Sequence, residues 1–169
     1  NKNYNLAKKY LKKIWNENPH DEYKSIIKKL SDFLNLDYFD LVKFVISNNR
    51  TNEVSKILLI ESAIEVKKWD LARNEIKTLL DVNPIKEVCL LMAKIEEGDL
   101  GNTQKASSWK LRSKNGLDKN TWICLASKQI QEEWSSVSHS GHFNSLEWKQ
   151  PNMLNQFNIS TSPLLYENS

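Results

Sequence analysis

The residues best equipped for chemistry lie together near the C-terminal end. His139 and His142 form an H-x-x-H pair, Glu132 and Glu133 precede them, and Cys124 stands upstream. Imidazole nitrogens and a thiolate are ligands for zinc or haem iron, and a thiol with a histidine and a carboxylate is the outline of a nucleophilic site. The sequence completes neither. The other cysteine, Cys89, lies 35 positions from Cys124 and outside any C-x-x-C, so no four-thiolate site and no disulfide framework can be built. An i, i+3 histidine pair in a Ser-rich stretch with no helix to hold it reads as two solvent-facing imidazoles. No Gly-x-Ser-x-Gly or comparable frame presents a nucleophile. No catalytic residue, cofactor or metal is therefore expected, and the chain is read as a non-enzyme. Cys89, in an apolar helical stretch, reads as core, and His20, next to Pro19, as a cap or surface group.

The elements around these residues follow from composition and spacing. In 169 residues, only 4 Gly and 4 Pro accompany 27% charged and 40% hydrophobic residues. That suits long helices and leaves few turn-formers for a many-stranded sheet, so an all-α protein is expected. Net charge is +3, with ten Lys and one Arg against seven acidic residues in positions 1–60. A nucleic-acid domain carries a denser basic stripe, and Tyr10, Trp15 and Tyr23, which interleave with the lysines, fall on the apolar face; no nucleic-acid partner is expected. No apolar run of about 18 residues exists to span a membrane. The chain opens on Asn1 with a helix starting almost at once, which is read as a fragment of a longer array.

Leu6, Ala7, Tyr10, Leu11, Ile14 and Trp15 recur at helical spacing, with Lys8, Lys9, Lys12 and Lys13 opposite. The expectation is one buried face and one solvated face. Later segments repeat this design. Ala7 stands twelve residues before Pro19, Ala72 stands twelve before Pro84, and Ala106 follows Ala72 by thirty-four, the tetratricopeptide period. In such a repeat a small residue lets two antiparallel helices approach, and a proline stops the second one. Val54, Ile57, Leu58 and Ala63 mark the first helix of a pair; Leu71, Ala72, Ile76, Leu79 and Leu80 mark the second. Val88, Leu91, Met92 and Ile95 open the next pair, which breaks at Gly98–Gly101 and resumes after Asn102 or Thr103, with Ala106 and Trp109 facing inward. Between the first helix and Val54, one helix around Tyr23–Leu30 and a shorter one around Phe39–Val45 form a degenerate repeat. The predicted architecture is a TPR-like superhelix of antiparallel helix pairs over residues 1–119.

After Asn120 the period stops. Trp122, Trp134, Phe143 and Trp148 then punctuate a stretch rich in Ser and Gln, with a turn at Ser140–Gly141. Residues 120–151 are expected to form an irregular Trp-rich cap packed on the last repeat, and 152–169 a mostly polar tail.

The order Ala7, Trp15, Pro19-His20, Ala72-Arg73, Leu91 to Glu96, Gly101 and Trp109, closing with Trp134-x-x-Val137-Ser138-x-x-Gly141 and Trp148-x-x-Pro151, resembles the C-terminal half of HemY proteins of the alphaproteobacterial type. The closing run is the most specific part, although Ser136 and His139 stand where that family usually has prolines. The resemblance implies a longer bacterial inner-membrane protein, anchored by N-terminal helices, whose repeat region faces the cytoplasm and holds partner proteins, among them enzymes of late haem or protoporphyrin synthesis. A direct haem or porphyrin carrier is the alternative it leaves. The flavin-dependent oxidase that shares the name needs a Gly-x-Gly-x-x-Gly, and Gly98, Gly101, Gly116 and Gly141 are too scattered to supply one.

Overall fold

The computed structural model describes residues 2–80, 84–131 and 134–151, and the chain divides into two compact units, Asn1–Gly116 and Leu117–Ser169.

The first unit is helical: α1 (Lys2–Glu17), α2 (Glu22–Phe33), α3 (Tyr38–Ile46), α4 (Glu53–Glu65), α5 (Trp69–Lys77), α6 (Lys86–Leu100) and α7 (Thr103–Ser113). Short polar side chains start several of them. Asp37 accepts from the N–H of Asp40, Asn52 from Val54 and Asn102 from Lys105, each satisfying a donor that the first turn leaves open. Helices α2 and α3, α4 and α5, and α6 and α7 pack as neighbours; α3 also meets α1 and α4, and α6 meets α4 and α5. Their shared core holds Trp15, Ile27, Val42, Leu58, Ile76 and Ile95, all at 0% exposure. Trp15 Nε1–H is satisfied there by Ser55 Oγ on α4 at 2.8 Å, as a buried indole must be. No helix among the described residues is long and apolar enough to cross a membrane.

Two sequence expectations change. The break read over Gly98–Gly101 falls at its last residue: α6 runs through Gly98 to Leu100, and Gly101, left-handed at φ 59°, ends the helix. Gly98 instead serves packing, because the Trp69 ring lies where a Cβ would be, with Cη2 at 2.5 Å. In the other correction, α5 stops at Lys77, and Leu79 and Leu80 lie in the turn beyond it.

The second unit carries a sheet where an irregular cap was expected. β1 (Thr121–Cys124), β2 (Ile130–Gln131) and β3 (Leu146–Lys149) form an antiparallel sheet in the order β2-β1-β3. Trp122 pairs with Gln131 on one side and with Trp148 on the other. Strands of two to four residues are too short for alternation to be legible in sequence, and the β1–β3 register joins residues far apart along the chain. The turn at Ser140–Gly141 is present: Gly141 sits at φ 82°, and its N–H donates to the Ser138 carbonyl. The tail of 152–169, Glu132 and Glu133 lie outside the described residues.

Candidate protein-docking site

α1 is where the expected face and the built face differ most. Of the six apolar residues predicted to face inward, Leu11 and Trp15 are buried and Ala7 is half-buried, while Leu6, Tyr10 and Ile14 are 51%, 58% and 42% exposed. At 100° per residue the six span about half the helix circumference. The core neighbours cover the side toward Leu11 and Trp15, and the side toward Leu6, Tyr10 and Ile14 is left open. The lysines divide in the same way. Lys8 lies over the Phe44 ring of α3 at 4.7 Å and Lys12 at 5.1 Å, so their stems belong to the α1–α3 contact. Lys9 and Lys13 are exposed, next to the open apolar row.

A second feature ties α2, α4 and α6 together. Lys24 Nζ on α2 lies 3.0 Å from Asp21 Oδ1, 2.9 Å from Glu61 Oε2 of α4 and 3.6 Å from Glu87 Oε1 of α6. Burial alone lowers the Lys24 pKa, but Glu61, Glu87 and Asp21 outweigh it and hold the ammonium above its usual range. Burial pushes the Glu61 carboxyl up against the opposing pull of Lys24. One helical turn on, Lys28 pairs with Glu65 and lies over the Tyr38 ring at 4.5 Å. Burial, then Glu61 and Glu65, raise the Tyr38 phenol to about 12. These charges satisfy one another, so the strap fixes the alignment of three helices and offers little to a ligand. Arg73 does the same between α5 and α6, with Nη1 2.6 Å from Glu96 Oε1 and Nη2 2.8 Å from Asp99 Oδ2.

A pocket of about 140 Å³ opens between α3 and α4, lined by Lys43, Ile46, Ser47, Arg50 and Leu59. That is below the roughly 300 Å³ at which organic-ligand sites begin.

No family model matches the chain. Over 90 residues, 52% of its length, the chain is 31% identical to a protein named probable magnetosome protein Mms48 of Magnetospirillum gryphiswaldense. It spans about a fifth of the length of that curated relative. No solved structure matches.

The repeat positions named from sequence lie in the helical unit: Ala72 and Ala106 are buried in α5 and α7, Pro84 is buried before α6, and Ala7 and Pro19 are half-buried. His20 is buried, and its Nδ1 accepts the Glu22 N–H at 3.3 Å at the start of α2. Tyr10, assigned to the inward face, points outward instead.

In the second unit the four aromatics do not act as one group. Trp122 and Trp148 meet across β1 and β3 at 5.1 Å between ring centroids, their planes tilted by 57°, whereas Trp134 and Phe143 are exposed. His139 and His142 are exposed, and among the described residues no group of three or more His, Cys, Asp or Glu is placed to hold a metal. Cys89 and Cys124 are both buried and free. Burial raises the Cys89 thiol. Cys124 goes the other way, down to about 5, through hydrogen bonds from Ser127, then Ser138 and Ser145. Ser145 Oγ stands 3.2 Å from its sulfur, and Ser140 Oγ, 3.7 Å away, also meets His142 Nδ1 at 3.1 Å.

The sequence reading missed Lys24, Glu61, Glu87, Arg73 and Glu96. The only trace of them in sequence was charge inside otherwise apolar helical stretches, such as Glu96 directly after Ile95.

Proposed function

We propose that the chain is a non-catalytic, tetratricopeptide-like scaffold that holds partner proteins. The observation that carries this reading is the exposed Leu6–Tyr10–Ile14 row on α1, the helix whose Leu11 and Trp15 are buried in the core. Contiguous apolar surface of this kind on a charged helix marks an interaction face. Stacked helix pairs and the thirty-four-residue spacing of Ala72 and Ala106 support the repeat reading, and extended surfaces for protein binding are the common use of such arrays.

The resemblance to HemY proteins supports a more specific assignment: partners among the enzymes of late haem or protoporphyrin synthesis, at the cytoplasmic side of a bacterial inner membrane. The printed name of the relative attaches that protein to magnetosomes; for this chain it favours a part in a bacterial protein assembly. The test is affinity capture from the source cells with the tagged chain, compared with the same chain carrying Tyr10→Asp and Ile14→Asp. Haem-pathway enzymes that are recovered with the first and lost with the second support the assignment. Recovery of nothing above background contradicts the scaffold reading. Direct porphyrin carriage has weaker support, since Trp134, Phe143, His139 and His142 are all exposed. A haemin titration decides it: a saturable Soret shift abolished by His139→Ala and His142→Ala would revive the carrier.

A further inference from the structure

The pocket between α3 and α4 is walled by consecutive stretches of chain: the last turn of α3, the loop after it and α4. Ile46 and Leu59 are each 1% exposed and form its floor, while the exposed Lys43, Ser47 and Arg50 form its rim. Its volume is about 140 Å³. At about 30 Å³ for each water-sized group, that is room for roughly five non-hydrogen atoms. The cavity is too small for a cofactor-sized ligand and large enough for a short branched alkyl group.

The donors at the rim can be followed one by one. Ser47 Oγ–H donates to the Phe44 carbonyl at 2.9 Å and has no second hydrogen to offer. Arg50 Nη2 donates to Glu75 Oε1 of α5 at 2.6 Å. That pair holds the guanidinium in place, and its Nε and Nη1 hydrogens have no partner among the described residues. A planar fork of N–H groups matches a carboxylate. Lys43 Nζ lies 3.7 Å from Asp40 Oδ1 with both side chains more than half exposed, a contact beyond hydrogen-bond range and worth little in water. Two cationic donors thus border an apolar floor. A bare inorganic anion would satisfy the donors and leave Ile46 and Leu59 wet, and a neutral alkyl compound would do the reverse.

We propose that this pocket binds a small branched aliphatic carboxylate, its alkyl group on Ile46 and Leu59 and its carboxylate at Arg50 and Lys43. A free short-chain acid and the C-terminal leucine of a peptide both carry this chemistry. The site is separate from the α1 face and does not depend on it.

A chemical-shift titration of the isotope-labelled chain with isovalerate tests the assignment. Saturable shifts centred on residues 43–59 are expected, with a dissociation constant on the order of 1 mM for a ligand of so few atoms. Acetate, three carbons shorter, should bind weaker by about tenfold or more, since each buried CH₂ is worth about fourfold. Isoamylamine, with the same alkyl group and the opposite charge, should lose about tenfold as well. Arg50→Gln and Lys43→Gln should each weaken isovalerate by roughly fivefold to tenfold. Thermal unfolding curves check both variants, and Lys43, exposed and loosely paired, keeps the test intact if Arg50→Gln unfolds.

A short peptide ending in leucine, with and without a C-terminal amide, separates the two sources. Binding tighter than isovalerate and abolished by the amide supports the proposal with a chain end as ligand; peptide binding weaker than isovalerate supports it with a free acid. Absence of a saturable shift, equal binding of isoamylamine, tighter binding of inorganic phosphate, or shifts indifferent to both variants would each overturn it.

Discussion

Replacing Lys24 with methionine should cost the helical unit about 2–3 kcal/mol. The ammonium is in reach of Asp21, Glu61 and Glu87 at 3.0, 2.9 and 3.6 Å, with 17% of its side chain exposed. Removing one partner of a buried ion pair costs roughly 3–5 kcal/mol because the other charge is stranded. Glu61 and Glu87, at 32% and 23% exposure, keep some water, which brings the figure down. In a unit of this size the loss lowers Tm by roughly 8–15 °C.

The pH dependence carries a separate sign. Lys24 has a folded pKa above its unfolded value, so its stabilisation is fully present below 10.5 and fades only as pH rises beyond it. At neutral pH the wild type therefore has the whole effect. In Lys24→Met, Glu61 keeps the upward push of burial and loses the opposing ammonium. A carboxyl with a raised folded pKa favours folding at low pH, and that advantage disappears as pH rises through the folded value. The variant should therefore regain stability as pH falls from 7 toward 4.5, and Lys24→Met/Glu61→Gln should recover much of the loss at pH 7. Urea titrations at pH 7, 6 and 5 read all of this. A loss under about 0.5 kcal/mol, or a variant profile parallel to wild type, refutes the reasoning.

Three further outcomes follow from other contacts. Arg73→Met strands Glu96, which is 3% exposed, and should cost about 3 kcal/mol, whereas Asp99→Asn removes only the more exposed partner and should cost under about 1 kcal/mol; chemical denaturation separates the two. Gly98→Ala should destabilise by about 1 kcal/mol, since the clash with Trp69 outweighs the roughly 1 kcal/mol that alanine gains in a helix, and should become stabilising in a Trp69→Leu background; thermal melts show the sign reversal. Cys124 thiolate absorbance at 240 nm should titrate near pH 5 and shift upward in Ser127→Ala/Ser145→Ala. Because that folded pKa is depressed, the stabilisation from the thiolate is present above pH 9 and is lost as pH falls toward 5.

The helices were readable because apolar residues recur at three- and four-residue spacing, and for α7 because a polar cap, Asn102, precedes the apolar residues. Periodicity reports an apolar arc without saying how much of it a neighbour covers, which is why α1 was expected to bury Leu6, Tyr10 and Ile14 alongside Leu11 and Trp15. The break was read over Gly98–Gly101 without deciding between its two glycines, and nothing local announces that Gly101 ends the helix while Trp69 fills the place of a Cβ at Gly98. The Lys24 strap joins residues 37 and 63 positions apart, beyond any local pattern. The sheet of Trp122 and Trp148 escaped for the same reason: its stabilising contacts are between strands, and each strand alone is too short to show a period.

Hydrogen–deuterium exchange on the chain, free and bound to a partner recovered by capture, tests the docking face most directly. Slowed exchange confined to residues 2–17, and absent with Tyr10→Asp/Ile14→Asp, is the predicted result. Protection elsewhere in the helical unit with α1 unchanged would contradict it.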